Sequence, residues 1–255
     1  MKRVRIIPAL LIQKGGLVKS VHFKDHQYVG DPINTVKIFN EKEVDEIVVL
    51  DISATAEKRP PDIAKIREIA SEAFMPLGYG GGITTLDEIK MLIASGVEKA
   101  ILNTAALNNP ALIGEGARYI GSQSIVVSID VKKNLWGKYK VYGKNGSKDT
   151  GEDPVTFARR MEEAGAGELL LNSIDRDGTF QGYDTTLIAA VSAAVNIPVV
   201  ALGGAGSTDD FGAAIRAGAS AASAGSLFVF QRPHRAVLVS YPTQAELKKK
   251  VFEKI

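Results

Sequence analysis

Short apolar runs rich in strand-forming residues alternate along this chain with amphipathic stretches of helical period. The runs are Val4–Leu11, Ile47–Leu50, Met75–Leu77, Ala100–Leu102, Ile125–Ile129, Leu169–Leu171, Val199–Leu202 and Ala221–Ser223. Between them, Asp62–Ala70, Leu86–Ala94, Val155–Ala164, Thr185–Ala194 and Asp209–Ala217 read as helices. Strand, helix, strand in one repeated sense implies parallel pairing. Eight such units imply an α/β fold, a closed (β/α)8 TIM barrel, with an open doubly wound sheet as the alternative.

The pattern is also duplicated. Glu46, Pro76, Gly81, Gly96, Asn103 and Thr104 recur 122 residues later as Glu168, Pro198, Gly203, Gly218, Gly225 and Ser226, and Asp31-Pro32 recurs as Asp153-Pro154. A constant offset means one folding unit used twice. We expect a single domain over 1–255 made of half-barrels near 1–121 and 122–255. Two similar halves join naturally into a ring, which favours the barrel. Two stretches depart from the minimal unit. Phe23–Gly30 reads as a long loop after the first strand. Leu135–Lys148 carries Trp136, Tyr139, Val141 and Tyr142 in rough alternation, then Asn145-Gly146, and reads as a hairpin after the fifth strand. Both follow strands, on the face where barrels do chemistry.

Composition narrows the function classes. The 255 residues are 45% apolar and 24% charged, as in a globular domain. No apolar run reaches the roughly 18 residues of a membrane span. After Met1-Lys2-Arg3-Val4, the segment Ile6 to Ile12 contains Pro8 and lacks a small-residue cleavage site, so it reads as a strand and not a signal peptide, and a cytoplasmic protein is expected. Cysteine is absent, and His22, His26 and His234 lack metal-ligand spacing, so no metal site is expected; nothing requires a cofactor. A net charge of +2 gives no argument for nucleic acid, and Lys248-Lys249-Lys250 reads as a solvated helix face.

Three sets of residues carry candidate chemistry. Gly80-Gly81-Gly82 and Asn103-Thr104 follow strands three and four; Gly203-Gly204 and Gly225-Ser226 follow strands seven and eight. Glycine lets backbone N–H groups approach an anion, so two phosphate segments on opposite sides of the mouth are expected, suited to a ligand with a phosphate at each end. The alternative is that these glycines only permit tight turns. Asp51, Asp130, Asp175 and Asp177 end strands or follow them, where catalytic groups in barrels stand, although any one of them singly suits a cap. The repeat mate of Asp130 is Leu11, which can neither give nor take a proton. At the other face, Arg5, Glu46, Lys99 and Glu168 start strands one, two, four and six. They are candidates for a charged ring across the barrel bottom, or else unrelated surface pairs.

These residues resemble the cyclase subunit of imidazole glycerol phosphate synthase, usually called HisF. The resemblance rests on Ile6-Ile7-Pro8, Gly30-Asp31-Pro32, Leu50-Asp51-Ile52, Gly80-Gly81-Gly82-Ile83, Asn103-Thr104-Ala105-Ala106, Asp175-Arg176-Asp177-Gly178-Thr179 and Gly182-Tyr183-Asp184. It implies phosphate binding by Gly82, Asn103, Thr104, Asp177, Gly178, Gly204, Gly225 and Ser226. It implies catalytic roles for Asp130, Lys19 and Asp51. It also implies a class I glutaminase docked on the barrel bottom, with Glu98 at the docking rim and Arg5, Glu46, Lys99 and Glu168 gating ammonia. One catalytic aspartate of the family is missing. Its segment reads Pro8-Ala9-Leu10-Leu11-Ile12, with Leu11 in place of the acid; Lys14 and Leu202 depart as well. The ending, from Phe228-Val229-Phe230 through His234-Arg235-Ala236-Val237-Leu238-Val239-Ser240-Tyr241-Pro242, resembles the WbuZ-type glycosyl amidation-associated branch. That branch implies work with an ATP-dependent sugar amidotransferase in surface-polysaccharide synthesis, on a phosphorylated small molecule. Three functions follow: an ammonia-conducting subunit of a sugar-amidating glutamine amidotransferase, an active cyclase, or a non-enzymatic phosphate-ligand sensor that activates the glutaminase.

Overall fold

Eight strands pair in parallel, and the last returns to the first. In the computed structural model, which describes residues 4–255, they are β1 (Arg5–Gln13), β2 (Ile47–Asp51), β3 (Leu77–Gly80), β4 (Lys99–Leu102), β5 (Ile125–Lys133), β6 (Glu168–Ser173), β7 (Val199–Leu202) and β8 (Ala221–Ala224). Met1, Lys2 and Arg3, ahead of the first strand, lie outside the described residues. Each strand pairs with its successor, and β8 pairs with β1, setting Ala221 beside Arg5. The barrel is therefore closed, with no free edge in the ring.

The repeat is written into the helix starts. Asp31 and Asp153 cap Pro32–Glu41 and Pro154–Ala164, each with proline in the first turn. Asp62 and Asp184 cap Ile63–Ser71 and Thr185–Ser192. Thr85 with Glu88 and Ser207 with Asp210 form capping boxes ahead of Leu86–Ala94 and Thr208–Arg216. Every pair is 122 residues apart. These side chains satisfy backbone N–H groups that a helix leaves unpaired, so both halves begin their helices by the same means.

Two apolar cores result. One lies between strands and helices and includes Phe39, Ile89, Leu92, Phe157 and Phe211. The other fills the barrel interior as a separate column, with Ile7, Ala9, Val48, Ile101, Val126, Leu170, Val200 and Ala221.

Two expectations need correction. Phe23–Gly30 is not a loop. Gly16–Val21 and Lys24–Gly30 form an antiparallel hairpin that continues β1, with Val18 opposite Leu11. Residues 24–28 are exposed, so the strand carries no apolar alternation to betray it. The third strand begins at Leu77 and runs through Gly78-Tyr79-Gly80, where glycine suggested a turn. A Cβ on Gly80 would lie 2.9 Å from Leu50 Cδ2 and 3.0 Å from the Ile101 carbonyl, so glycine is required by the neighbouring strands. The hairpin after β5 is present: Tyr139–Gly143 pairs antiparallel with β5, then turns through Lys144, Asn145 and Gly146, all with positive φ.

Replacing Asp153 with alanine removes its hydrogen bonds to the Val155 and Thr156 amides. We expect a loss of about 1 kcal/mol of stability, read as a lower urea midpoint at unchanged slope.

Candidate functional site

At the C-terminal mouth a cavity of about 770 Å³ opens between the loops. Leu11, Lys19, Asp51, Gly82, Asn103, Thr104, Asp130, Asp177 and Gly225 line it; Gly178, Gly204 and Ser226 do not. The sequence thus placed most of its candidates at one mouth, but the two phosphate segments are not equally open.

Asp130 stands near the end of β5, buried. Its two oxygens accept from Asn103 Nδ2 and Asn172 Nδ2, each at 3.2 Å. Burial pushes its carboxyl up to about 7; the Asn172 hydrogen bond opposes this and the negative charge of Asp177 adds to it. Lys19 lies on the first hairpin and is buried, with Nζ donating to the Ala9 carbonyl. Burial pulls its ammonium down to about 8, against the pull of Asp177. Burial raises the Asp177 carboxyl, opposed by Lys19 and by Ser20, whose Oγ donates at 3.3 Å. A carboxyl and an amine that both titrate near neutrality can exchange protons with a ligand held between them.

Register settles which residue corresponds to Asp130. Leu11 pairs with Leu50 across β1 and β2; Asp130 pairs with Asn172 across β5 and β6; Leu50 and Asn172 are 122 residues apart. Leu11 therefore occupies the Asp130 position of the first half. The exchange is broader than one residue. Asn103 and Asn172, which hold Asp130, have Gly225 and Leu50 as their repeat mates, and Ser128 has Ala9. The first half offers an apolar patch where the second offers a carboxylate in an amide cradle. Asn172 was missed in the sequence, although a repeat position changing from leucine to asparagine beside a strand-end acid was a readable signal.

Asp51 does other work. Its carboxylate accepts from the Ser53 and Ala54 amides and from Ser53 Oγ, each at 3.1 Å, and Arg59 reaches its oxygens at 2.9 and 2.7 Å. It anchors the loop after β2 through Oδ1, while Oδ2 accepts from Arg59 and the residue still lines the cavity. Asp175 likewise accepts from the Lys133 amide and fastens the β5 hairpin.

At the opposite end the four bottom charges close into a ring. Arg5 donates to Glu46 and, at 3.0 Å, to Glu168. Lys99 Nζ lies 2.9 Å from both Glu46 oxygens and 2.9 Å from Glu168. The Glu46 and Glu168 side chains are only 4% and 8% exposed, so the pairs are no solvated surface decoration. Burial opposes the Arg5 charge, but Glu168 and Glu46 outweigh it and hold its pKa above the ordinary value. Glu98 is exposed beside the ring.

The family model described as histidine biosynthesis protein matches residues 5–233. The chain belongs to this family. Among its relatives, a Pseudomonas aeruginosa protein named "Putative imidazole glycerol phosphate synthase subunit hisF2" is 51% identical over 243 residues, covering 95% of this chain and 97% of that one. A Vibrio vulnificus protein named as subunit hisF3 is 46% identical over 251 residues, 98% and 96% of the two chains. The imidazole glycerol phosphate synthase subunit HisF of Pyrococcus furiosus is 48% identical over 225 residues, 88% and 89%. The resemblance drawn from the motifs is thus borne out at the level of the family, as is the barrel. Among the described residues no cluster of ligands suited to a metal occurs, and no helix is long and apolar enough to cross a membrane.

The Asp130 environment has a pH consequence. A carboxyl whose folded-state pKa is raised favours the folded state below its unfolded pKa, near 3.9, and loses that contribution as pH rises through about 7. Asp130→Asn should therefore gain stability relative to the parent protein between pH 5 and pH 8. Urea titrations at both pH values measure this, and a constant difference would contradict the raised carboxyl.

Proposed function

We propose that this chain is the barrel subunit of a glutamine amidotransferase, docked by a class I glutaminase at the charged ring, and that it conducts ammonia without performing the family's cyclisation. The carrying observation is the asymmetry between the two ends. The ring is complete and its two glutamates are buried, while the mouth has leucine at the position equivalent to Asp130. Between them runs the apolar column of Ile7, Val48, Ile101, Val126, Leu170 and Val200, a dry route for a small neutral molecule such as ammonia.

Mechanistically, the ring would admit ammonia by a shift of Lys99, which bridges Glu46 and Glu168 from a single flexible stem. An ammonium ion would be held by the two carboxylates, give one proton to water on the outer side of the ring, and enter the column as neutral ammonia, since a charge there is costly. At the mouth, Asp130 and Lys19 remain as proton-transferring groups, and Gly82, Asn103 and Thr104 as an anion segment. Sugar amidation in surface-polysaccharide synthesis is the acceptor chemistry we favour. The resemblance of the tail from Phe228 to Pro242 supports it. A cytoplasmic setting accords with it.

A second reading, an active cyclase, is favoured by the names of the relatives and by the intact Asp130 cradle. The two readings separate in one assay. With free ammonia and the histidine-pathway substrate, we expect turnover at least roughly 10²-fold below that of an ordinary cyclase, because a positioned acid or base is worth roughly 10²–10⁴-fold. Leu11→Asp should raise it. Ordinary turnover by the parent protein would overturn the proposal.

A further inference from the structure

The β5 hairpin stands above the mouth as an arm. Asp130 pairs with Tyr142 at its base, and Lys133 pairs with Tyr139 three residues further on. At about 3.3 Å per residue, its turn starts about 10 Å beyond Asp130. The turn is closed by hydrogen bonds. Asn134 Oδ1 accepts from the Trp136 and Lys138 amides, each at 3.0 Å, and the Asn134 carbonyl accepts from the Gly137 amide at 2.9 Å. Lower down, Asp175 accepts from the Lys133 amide at 2.8 Å, and Tyr139 Oη donates to Asp184 at 2.9 Å. The arm is thus held at its tip and at its sides. It presents Leu135, fully exposed, and Trp136, 86% exposed. Turns favour polar residues and glycine, yet this one fixes an aliphatic and an indole side chain in water. Such a pair is preorganised, and little ordering cost remains when a partner buries it.

The arm also concentrates positive charge. Residues 131–150 carry Lys132, Lys133, Lys138, Lys140, Lys144 and Lys148 against one acid, Asp149. The whole chain is only +2, so the remainder is net negative. None of these lysines is ion-paired among the described residues. Lys132 and Lys140 stand directly opposite each other in the register, two residues beyond the Asp130–Tyr142 pair and on the same face. Like charges opposed across two strands destabilise the pair by themselves. An anionic surface laid on the arm would offset that repulsion.

The arm is continuous with the mouth, because Lys144 and Asn145 of the same insertion line the cavity. A body seated on Leu135 and Trp136 would therefore cover the opening. A second copy of this chain does not suit the arm, since an isologous contact would set one group of lysines against the other. A bilayer suits it less, since even a single myristoyl chain binds only marginally and two side chains bury less. Ammonia that left the mouth into neutral water would take up a proton and lose its nucleophilic lone pair, so conduction needs a receiver there. We propose that the arm docks the enzyme that consumes the ammonia. Leu135 and Trp136 enter an apolar pocket on that enzyme, and acidic residues around the pocket pair with Lys132 and Lys140. The proposal rests on the ammonia-conducting reading and adds to it a partner at the exit, opposite the glutaminase.

Binding kinetics and sedimentation of the glutaminase-bound chain with the ATP-dependent sugar amidotransferase test it. We expect a complex that weakens as NaCl rises from about 50 to about 300 mM. The double variant Leu135→Ser with Trp136→Ser should weaken it at least about 30-fold, with Tm and glutaminase binding unchanged. Trp136→Phe should keep most of the affinity. Lys132→Glu with Lys140→Glu should weaken the complex about tenfold, chiefly through slower association. No complex with the parent protein, or a complex indifferent to the serine pair, would overturn the proposal. So would a serine pair whose only effect is to abolish binding to phosphatidylglycerol–phosphatidylcholine vesicles, or self-association of the chain. The two readings fail separately. A conducting complex indifferent to the serine pair removes the dock alone, whereas an arm-dependent complex whose nitrogen does not pass the ring removes conduction alone.

Discussion

Glu46 and Glu168 are buried under the barrel, and Arg5 and Lys99 each bridge both of them. Removing one partner of a buried pair typically costs about 3–5 kcal/mol, because the other is left without compensation. The four residues come from the starts of β1, β2, β4 and β6, strands distant in the chain. Only a closed barrel brings them together, so the ring and the closure depend on each other. The ring is also the floor of the interior column of Ile7, Val48, Ile101, Val126, Leu170 and Val200.

The two halves share their scaffold and differ at both ends of the barrel. Their helix caps match pair by pair, and their strand registers coincide, yet at the mouth a carboxylate with two asparagine donors faces a leucine beside a leucine and a glycine. The floor is unequal as well: Glu46 and Glu168 are repeat mates, but Lys99 has Ala221 as its mate and Arg5 has Ser124. Buried charge is hard to keep without cause, since hydrophobic replacement of a buried ion pair is often neutral or stabilising. A role in passing a small polar molecule supplies a cause that stability alone does not.

Much of this was legible in the chain. The offset of 122 gave the half-barrels because Asp31 and Asp153, or Thr85 and Ser207, are capping residues whose chemistry is local. The bottom charges were legible as candidates because strand starts share one end of any barrel. What escaped the sequence depends on tertiary contact. Gly80 was read with the turn glycines after the third strand, and only the crowding by Leu50 and Ile101 explains it as strand. Lys24–Gly30 is a strand exposed on both faces for most of its length, which no alternation can reveal. Asp51 was a strand-end candidate in the sequence, and its pairing with Arg59, eight residues on, appears only in the fold.

The central claim is that the ring passes ammonia, and isotope partition tests it most directly. The complex reconstituted with its glutaminase and acceptor enzyme would be given glutamine labelled with ¹⁵N at the amide, in buffer containing unlabelled ammonium. In the parent complex the amidated product should carry the label. Lys99→Ala and Glu168→Ala, once shown to be folded and to bind the glutaminase, should lose label to the buffer pool. A product that remains fully labelled in both variants would show that nitrogen does not travel through the ring.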